Sequence, residues 1–206
     1  MRLVLASASP RRAELLRAAG FSFETLIVGV DERVRKGEAP AEYVQRLARE
    51  KSAKGLARLR RRPVRAGRYA GRTSVSRTNE LVVLGADTAV VVDDEILGKP
   101  RGQADARAML RRLSGRRHDV LTGISVRSAA AEVGHVETTS VYFTELGDDE
   151  VEWYVASGEG SDKAGAYAIQ GLASRFVPRI EGSYSNVVGL PVARVHELVR
   201  KLASHS

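Results

Sequence analysis

Short apolar runs alternate along the chain with segments in which apolar residues recur every three or four positions. The runs predict strands, and the helical spacing predicts helices. Strands are predicted at residues 3–5, 21–30, 81–84, 89–92, 95–97, 120–126 and 136–143. Helices are predicted to begin at Pro10, Pro40, Gln103, Asp148 and Pro191. Because strands and helices interleave throughout, the pattern predicts an α/β fold, in one domain over residues 1–206.

Two glycine-containing segments interrupt this pattern. Residues 85–88, with the sequence Gly-Ala-Asp-Thr, predict a tight turn between the strands at 81–84 and 89–92. Residues 160–171 contain three glycines. Because glycine has no side chain, the backbone of this segment can pass close to a ligand.

Composition excludes several kinds of site. The chain has no cysteine, which excludes a disulfide scaffold, a thiolate zinc site and a cysteine nucleophile. Its four histidines are scattered without metal-ligand spacing. No apolar run approaches the roughly 20 residues that span a bilayer, and the N-terminus has no signal-peptide core. We therefore expect a cytoplasmic protein without a membrane partner.

The net charge of +8 is concentrated in one segment. Eight arginines and no acid lie between Arg58 and Arg77, together with proline, glycine and serine residues. This composition predicts a solvated loop insertion over residues 58–80 more readily than a nucleic-acid-binding arm. We therefore do not expect nucleic acid to be the partner.

Ser7, Ser9, Arg11 and Arg12 surround the predicted start of the first helix. Backbone N–H groups and the helix dipole favour an anion at such a position. Two hydroxyls and two guanidiniums add donors suited to phosphate oxygens. The alternative is an ordinary helix N-cap with two exposed arginines, and no Walker motif is present.

Asp87 lies within the Gly-Ala-Asp-Thr segment, directly after an apolar strand. A carboxylate there could hold a magnesium ion on phosphate oxygens or activate a water as general base. The alternative is an aspartate that only caps a turn. Asp31 and Glu32 follow the second predicted strand and could join Asp87 around a hard cation, although paired acids at a surface need no function.

Lys51, Lys99 and Lys163 are further candidates, each of which could equally be a solvated surface charge. Taken from the residues alone, the chain is an α/β protein that binds a phosphorylated, metal-bound ligand. Hydrolysis of a phosphoanhydride by a metal-activated water would suit these groups.

The motifs together resemble the Maf family, in order and nearly end to end. They lie at residues 5–16 (beginning LASASPRR), 47–53, 84–88 (LGADT), 97–100 (LGKP), 113–120, 182–184 and 187–191. The resemblance implies a two-lobed, ITPase-like fold, with a central mixed sheet flanked by helices and a cleft between the lobes. It also implies a nucleoside triphosphate pyrophosphatase that uses a divalent cation, Mg²⁺ or Mn²⁺, and a link to arrest of septum formation.

Residues 162–171 resemble the branch of the family that acts on dTTP and UTP, because Gln170 stands where the 7-methyl-GTP branch has glutamate. An amide offers a donor and an acceptor to a pyrimidine edge, whereas a carboxylate only accepts. By resemblance, Asp87 is the proton acceptor and a metal ligand, with Glu32 as a second ligand. Arg12, Thr88 and Gln170 match positions of nucleotide choice, and Ser7, Arg11, Lys51 and Lys99 match polar positions of the cleft.

The expected activity is therefore hydrolysis of dTTP and UTP, and of modified pyrimidine nucleotides such as 5-methyl-UTP, to the monophosphate and pyrophosphate. Two alternatives stay open: a 7-methyl-GTP pyrophosphatase, and a non-catalytic regulatory protein that binds a cell-division partner. The family resemblance also implies a homodimer.

Overall fold

The computed structural model describes residues 1–61 and 81–204. The strands are β1 (Arg2–Leu5), β2 (Phe23–Thr25), β3 (Leu81–Val92), β4 (Glu95–Leu97), β5 (Arg117–Arg127), β6 (Glu132–Tyr142) and β7 (Arg179–Glu181). The α-helices are α1 (Pro10–Ala18), α2 (Pro40–Arg60), α3 (Gln103–Leu113), α4 (Asp148–Ser157), α5 (Tyr184–Val188) and α6 (Val192–Ser204). Short 3-10 turns cover Ala164–Ala166 and Leu172–Phe176.

The seven strands form one mixed sheet in the order β2-β1-β3-β5-β6-β7, with β4 paired to β3. β1 runs parallel to both β2 and β3, and the other pairs are antiparallel. Helices pack on the sheet, so the predicted α/β class with a central mixed sheet is confirmed. In the described parts of the chain, no helix combines the length and apolar content needed to cross a bilayer.

Two large apolar clusters divide the sheet along its strands. One packs the second half of β3, including Val90 and Val92, against α3 and α4. The other packs Val82 and Leu84, from the first half of β3, against α1 and α6. The middle of β3, which carries the polar residues Asp87 and Thr88, therefore joins two separately packed lobes.

β3 is a single strand of 12 residues, so the prediction of a tight turn at residues 85–88 is wrong. Gly85 and Asp87 pair in register with Ser125 and Gly123 of β5. Gly85 serves close packing instead of a turn, because a β-carbon there would lie 2.2 Å from the backbone oxygen of Ala48 in α2. Helix α2 can cross the sheet this closely only where the strand has no side chain.

Two other boundaries differ from the prediction. The strand predicted at 21–30 is limited to β2, because its partner β1 ends at Leu5, and beyond it side chains of α2 bind the backbone oxygens of Ile27 and Gly29. The predicted basic loop at 58–80 begins too early, because α2 continues to Arg60. The remainder of that loop, residues 62–80, lies outside the described residues.

His118 is a buried titratable group in the lobe built on α3 and α4. It is 2% exposed, and its Nε2 lies 2.8 Å from the hydroxyl oxygen of Tyr167. The rings of Phe143 and Tyr167 pack edge-on against it. Burial lowers the pKa of His118 from 6.5 to about 4, so the folded protein holds this imidazole neutral.

We expect His118 to destabilise the fold as pH falls from about 6.5 to about 4. In that window the unfolded chain binds a proton at this residue and the folded chain does not, so the unfolding free energy drops with falling pH. The loss amounts to about 3 kcal/mol over the window. Urea unfolding as a function of pH measures it, and His118→Gln should remove that part of the slope. His196→Gln, on α6, should leave the slope unchanged; equal slopes in wild type and His118→Gln would contradict the assignment.

Candidate active site

A cleft of about 570 Å³ opens between the two lobes, beside the middle of β3. Its walls come from the loop after β1, the first turn of α1, the middle of α2, residues 162–170 and residues 187–189. The nine predicted site residues all line it: Ser7, Arg11, Arg12, Glu32, Lys51, Asp87, Thr88, Lys99 and Gln170. The structure thus brings together side chains that are up to 163 positions apart in the chain.

The pleat of β3 sends neighbouring side chains to opposite faces of the sheet. Asp87 faces α2, where it meets Lys51. Thr88 faces the other side, where it meets Arg12. β1 pairs with β3 only as far as Leu84, so both side chains lie beyond the end of β1 and are open to the cleft. The site therefore has two chemically different halves.

The first half is an acidic pair that shares one ammonium group. Nζ of Lys51 lies 2.6 Å from Oδ1 of Asp87 and 2.8 Å from Oε1 of Glu32. Lys51 and Asp87 are 7% and 8% exposed, whereas the Glu32 side chain is 56% exposed. Lys51 reaches this position because α2 crosses β3 at Gly85.

Glu32 is held in its ionised form. Burial raises its pKa, but the hydrogen bond and charge of Lys51, together with the charges of Lys99 and Arg12, outweigh that effect. The net pKa of Glu32 therefore lies below its ordinary value. A carboxylate in this state offers oxygen ligands at neutral pH.

The second half is built on Arg12, which is buried. Its guanidinium donates to Ser7 Oγ (3.2 Å), the Ala86 oxygen (2.9 Å), Thr88 Oγ1 (2.9 Å) and the Gly189 oxygen (2.8 Å). Burial is the main influence on the pKa of Arg12 and lowers it. With four of its five N–H groups engaged, Arg12 braces the floor of the cleft, so the alternative of two exposed arginines does not hold for Arg12.

Ser9 caps α1, with Oγ accepting from the backbone N–H of Arg12 at 3.5 Å. Arg11, Lys99 and Gln170 line the cleft and make no side-chain hydrogen bond or ion pair to any described residue. Two cations and an amide are therefore free to contact a ligand. Lys163 also lines the cleft, paired with Asp162.

Asp31 does not join the acidic pair. Its carboxylate binds the guanidinium of Arg33 at 2.7 Å, outside the cleft. The predicted grouping of Asp31 with Glu32 and Asp87 is wrong because Arg33 holds the Asp31 carboxylate, whose side chain is 60% exposed.

Tyr43 lines the cleft and Arg46 supports it from outside the cleft, and the sequence interpretation missed both roles. The hydroxyl of Tyr43 donates to the backbone oxygen of Glu32 at 3.0 Å. Burial and the charges of Asp87 and Glu32 raise the pKa of Tyr43 to about 12, so this hydroxyl remains a donor. Tyr43 and Arg46 are three residues apart in α2, and residues at this spacing share a helix face. This spacing was the signal in the sequence that the two side chains act together.

The donor set can be tested against a metal ion. Within residues 1–61 and 81–204, no three Asp, Glu, His or Cys side chains are grouped to hold one. Two carboxylates, from Glu32 and Asp87, do converge on the point where Lys51 Nζ lies. Mg²⁺ is commonly held by one or two carboxylates plus substrate phosphates. The pair therefore fits a cation that arrives with a phosphorylated ligand.

A family model described as Maf-like protein matches residues 2–202. A dTTP/UTP pyrophosphatase of Anaeromyxobacter dehalogenans is 50% identical over 204 residues, covering 97% of this chain and 93% of the relative. A dTTP/UTP pyrophosphatase of Vibrio cholerae is 46% identical over 200 residues, covering 97% of each chain. Among solved structures, the Staphylococcus aureus Ham1 protein has a TM-score of 0.42 and 13% identity, over 69% of this chain and 72% of that one. An overlap of that quality bears on neither the site nor the activity.

Proposed function

Because the chain belongs to the Maf family, we propose that it is a nucleoside triphosphate pyrophosphatase, with dTTP and UTP as its substrates. The family match covers nearly the whole chain, and both relatives described above carry the name dTTP/UTP pyrophosphatase. The reaction adds water to the α-phosphorus, breaks the bond to the β-phosphate oxygen and releases the monophosphate and pyrophosphate.

The observation that carries this proposal is the contact of Lys51 with both Asp87 and Glu32 in a cleft that also contains two uncommitted cations, Arg11 and Lys99. Carboxylates alone would repel a triphosphate, and cations alone would bind it without activating water. The two sets side by side suit binding of a polyanion and attack upon it.

Asp87 is the residue proposed to accept the proton of the attacking water. Its carboxylate is fixed in direction by the 2.6 Å hydrogen bond from Lys51, which is itself buried. A base held this way can be aimed at one phosphorus atom, and positioned bases of this kind contribute about 10²–10⁴-fold to rate.

Arg11, Lys51 and Lys99 are the groups proposed to contact phosphate oxygens. Charge builds on those oxygens as pyrophosphate leaves, and pre-positioned cations stabilise it without reorganisation. The first turn of α1 adds backbone N–H groups beside Ser7 and Arg11. Such electrostatic stabilisation is usually the largest contribution in phosphoryl transfer.

A divalent cation, Mg²⁺ or Mn²⁺, completes the proposal, with Glu32 and Asp87 as its protein ligands. When bound, it would supply positive charge to the phosphate oxygens and lower the pKa of water. Glu32 is suited to this role because its depressed pKa keeps it anionic. Lys51 would then shift its hydrogen bonds toward phosphate.

Substrate choice is assigned to Gln170, with Arg12 and Thr88 at the floor of the cleft. Gln170 is exposed in the cleft and free to present its amide to a pyrimidine edge. A site that takes both dTTP and UTP must tolerate a 5-methyl group and a ribose 2′-hydroxyl. 5-methyl-UTP combines those two features, so we extend the proposal to it.

We expect Gln170→Glu to lower kcat/KM for dTTP and UTP by about tenfold. The substitution replaces a donor with a second acceptor and adds a negative charge near the triphosphate, and one lost polar contact costs about 1–2 kcal/mol. Steady-state kinetics on both nucleotides measure the effect. Gln103→Glu, on the exposed first turn of α3, makes the same charge change away from the cleft and should match wild type. Unchanged kinetics in Gln170→Glu would remove this residue from nucleotide choice.

The proposed activity is tested by pyrophosphate release from dTTP, UTP, 5-methyl-UTP, CTP, GTP and 7-methyl-GTP, each with Mg²⁺ and with Mn²⁺. Preference for the uracil and thymine nucleotides supports the proposal, including the role of Gln170. Preference for 7-methyl-GTP would still support the proposed hydrolytic residues but would overturn the assignment of dTTP and UTP as substrates. No release from any nucleotide would favour the alternative of a regulatory binding protein.

A further inference from the structure

Glu32 lies in a segment, residues 26–39, that has no helix or strand of its own. Its backbone is therefore not fixed by a sheet or a helical hydrogen-bond ladder, and its side chain is more than half exposed. Even so, Oε1 lies 2.8 Å from Lys51 Nζ. Something other than secondary structure must hold this carboxylate in place.

Three consecutive backbone oxygens around Glu32 are bound by side chains of α2. Arg46 donates to the oxygen of Asp31 at 3.4 Å and to that of Arg33 at 3.1 Å. Tyr43 donates to the oxygen of Glu32 itself. Tyr43 and Arg46 share one face of α2, and the guanidinium lies over the Tyr43 ring, 5.6 Å from its centroid.

Arg46 is itself held firmly. Glu38, at the end of the same segment, accepts from Arg46 Nε at 2.5 Å and from its second terminal nitrogen at 2.8 Å. The two side chains are only 12% and 7% exposed. The hydrogen bonds from Arg46 are the main reason that the pKa of Glu38 lies at about 2, so the pair stays charged at any working pH. A fork-shaped pair of this kind restricts orientation as well as distance.

We propose that Arg46 is a positioning residue that holds Glu32 at the acidic centre of the cleft. The same helix carries Lys51, so α2 places both the ammonium and, through Arg46, the carboxylate that faces it. Arg46 does not line the cleft and touches no substrate; it acts through the backbone on either side of Glu32. The kinetic part of its test rests on the proposed function.

The test is a double-mutant cycle on kcat/KM for dTTP with Arg46→Met, Glu32→Gln and the double variant. Loss of a partner that orients a ligand residue typically costs about 10–100-fold, and we expect Arg46→Met to fall in that range. If Arg46 acts through Glu32, the double variant should be no slower than Glu32→Gln alone. Arg46→Lys should recover little, because an ammonium cannot bind Glu38 and two carbonyls in the fork geometry.

Arg58→Met is the matched control. Arg58 also belongs to α2 and also binds a backbone oxygen of this segment, that of Ile27, at 3.1 Å. Its loss should leave kcat/KM within twofold of wild type, because it anchors the segment away from Glu32.

Hydrogen exchange provides a readout that needs no turnover. The amides of Arg33 and Arg35, bonded to Asp31 Oδ1 and Glu38 Oε2, should exchange faster in Arg46→Met than in wild type or Arg58→Met. The assignment would be overturned if the losses in kcat/KM of the two single variants multiplied in the double variant. It would also be overturned if exchange at these amides were the same in Arg46→Met and wild type. If the wild-type protein hydrolyses no nucleotide, the proposed function fails, but hydrogen exchange still tests whether Arg46 positions the segment around Glu32.

Discussion

Asp87→Asn should reduce the release of pyrophosphate from dTTP by about a thousandfold. The amide keeps the shape of the carboxylate and can still accept the hydrogen bond from Lys51, but it cannot take a proton from water, and a general base contributes about 10²–10⁴-fold. Single-turnover kinetics measure the chemical step. Calorimetric titration with a non-hydrolysable dTTP analogue measures binding, which should change by only a few fold. The variant would thus separate binding from hydrolysis.

Asp94→Asn is the control for that substitution. Asp94 lies in the exposed turn between β3 and β4 with a φ of 59°, a conformation that asparagine tolerates well. It makes the same chemical change seven residues along the chain, outside the cleft, and should turn over at the wild-type rate. If Asp87→Asn also keeps near-wild-type turnover, Asp87 is not the base.

Gly85→Ala should both destabilise the fold and inactivate the site. The added methyl would lie 2.2 Å from the Ala48 oxygen and 2.7 Å from the Ser52 nitrogen, and both atoms belong to the backbone of α2. The helix must move away from β3, at a cost of about 3 kcal/mol. Lys51 moves with it, and a displacement of about 1 Å at a catalytic group can cost about 10²-fold in rate. Urea unfolding and kcat, measured on the same preparation, test both effects.

Gly29→Ala provides the comparison, since its new methyl would have no atom within 4 Å and its backbone is not in the left-handed region. We expect its unfolding free energy to stay within about 0.5 kcal/mol of wild type. Wild-type stability in Gly85→Ala would mean that α2 does not pack this closely on β3.

Local signals in the sequence predicted the helices well. Ser9 followed by Pro10 marks the start of α1, and the predicted start of α3 at Gln103 agrees with the structure. These boundaries depend on caps and on apolar spacing within a few residues, so the sequence alone contains them. The Asp93–Asp94 turn was predictable for the same reason.

Gly85 shows why other features were not predictable. Glycine followed by alanine and aspartate is typical of a turn. Gly85 is instead required because helix α2 crosses the strand there, at Ala48, which lies 37 residues earlier in the chain. Close approach and chain reversal use the same residue type, and only the tertiary structure separates them. The continuous strand β3 was missed on that account.

Arg46 illustrates the corresponding limit at the site. The family resemblance predicted that nine residues share one site, and the structure places all nine around one cleft. An arginine four residues before Glu50 on a helix, however, resembles an ordinary surface ion pair. Its contacts with the backbone on both sides of Glu32 depend on the path of an irregular segment, which no spacing rule describes.

The alternation of side chains along β3 also limits how this protein can change in length during evolution. Deleting or inserting one residue between Leu84 and Asp87, with the first half of β3 kept in register, would exchange the faces of Asp87 and Thr88. It would also turn Val90 and Val92 away from the lobe built on α3 and α4. A deletion or insertion of this kind should abolish activity even when an inserted residue resembles its neighbours. Length variation among descendants of this chain should accumulate instead in connections outside the paired strands, such as residues 143–147 between β6 and α4.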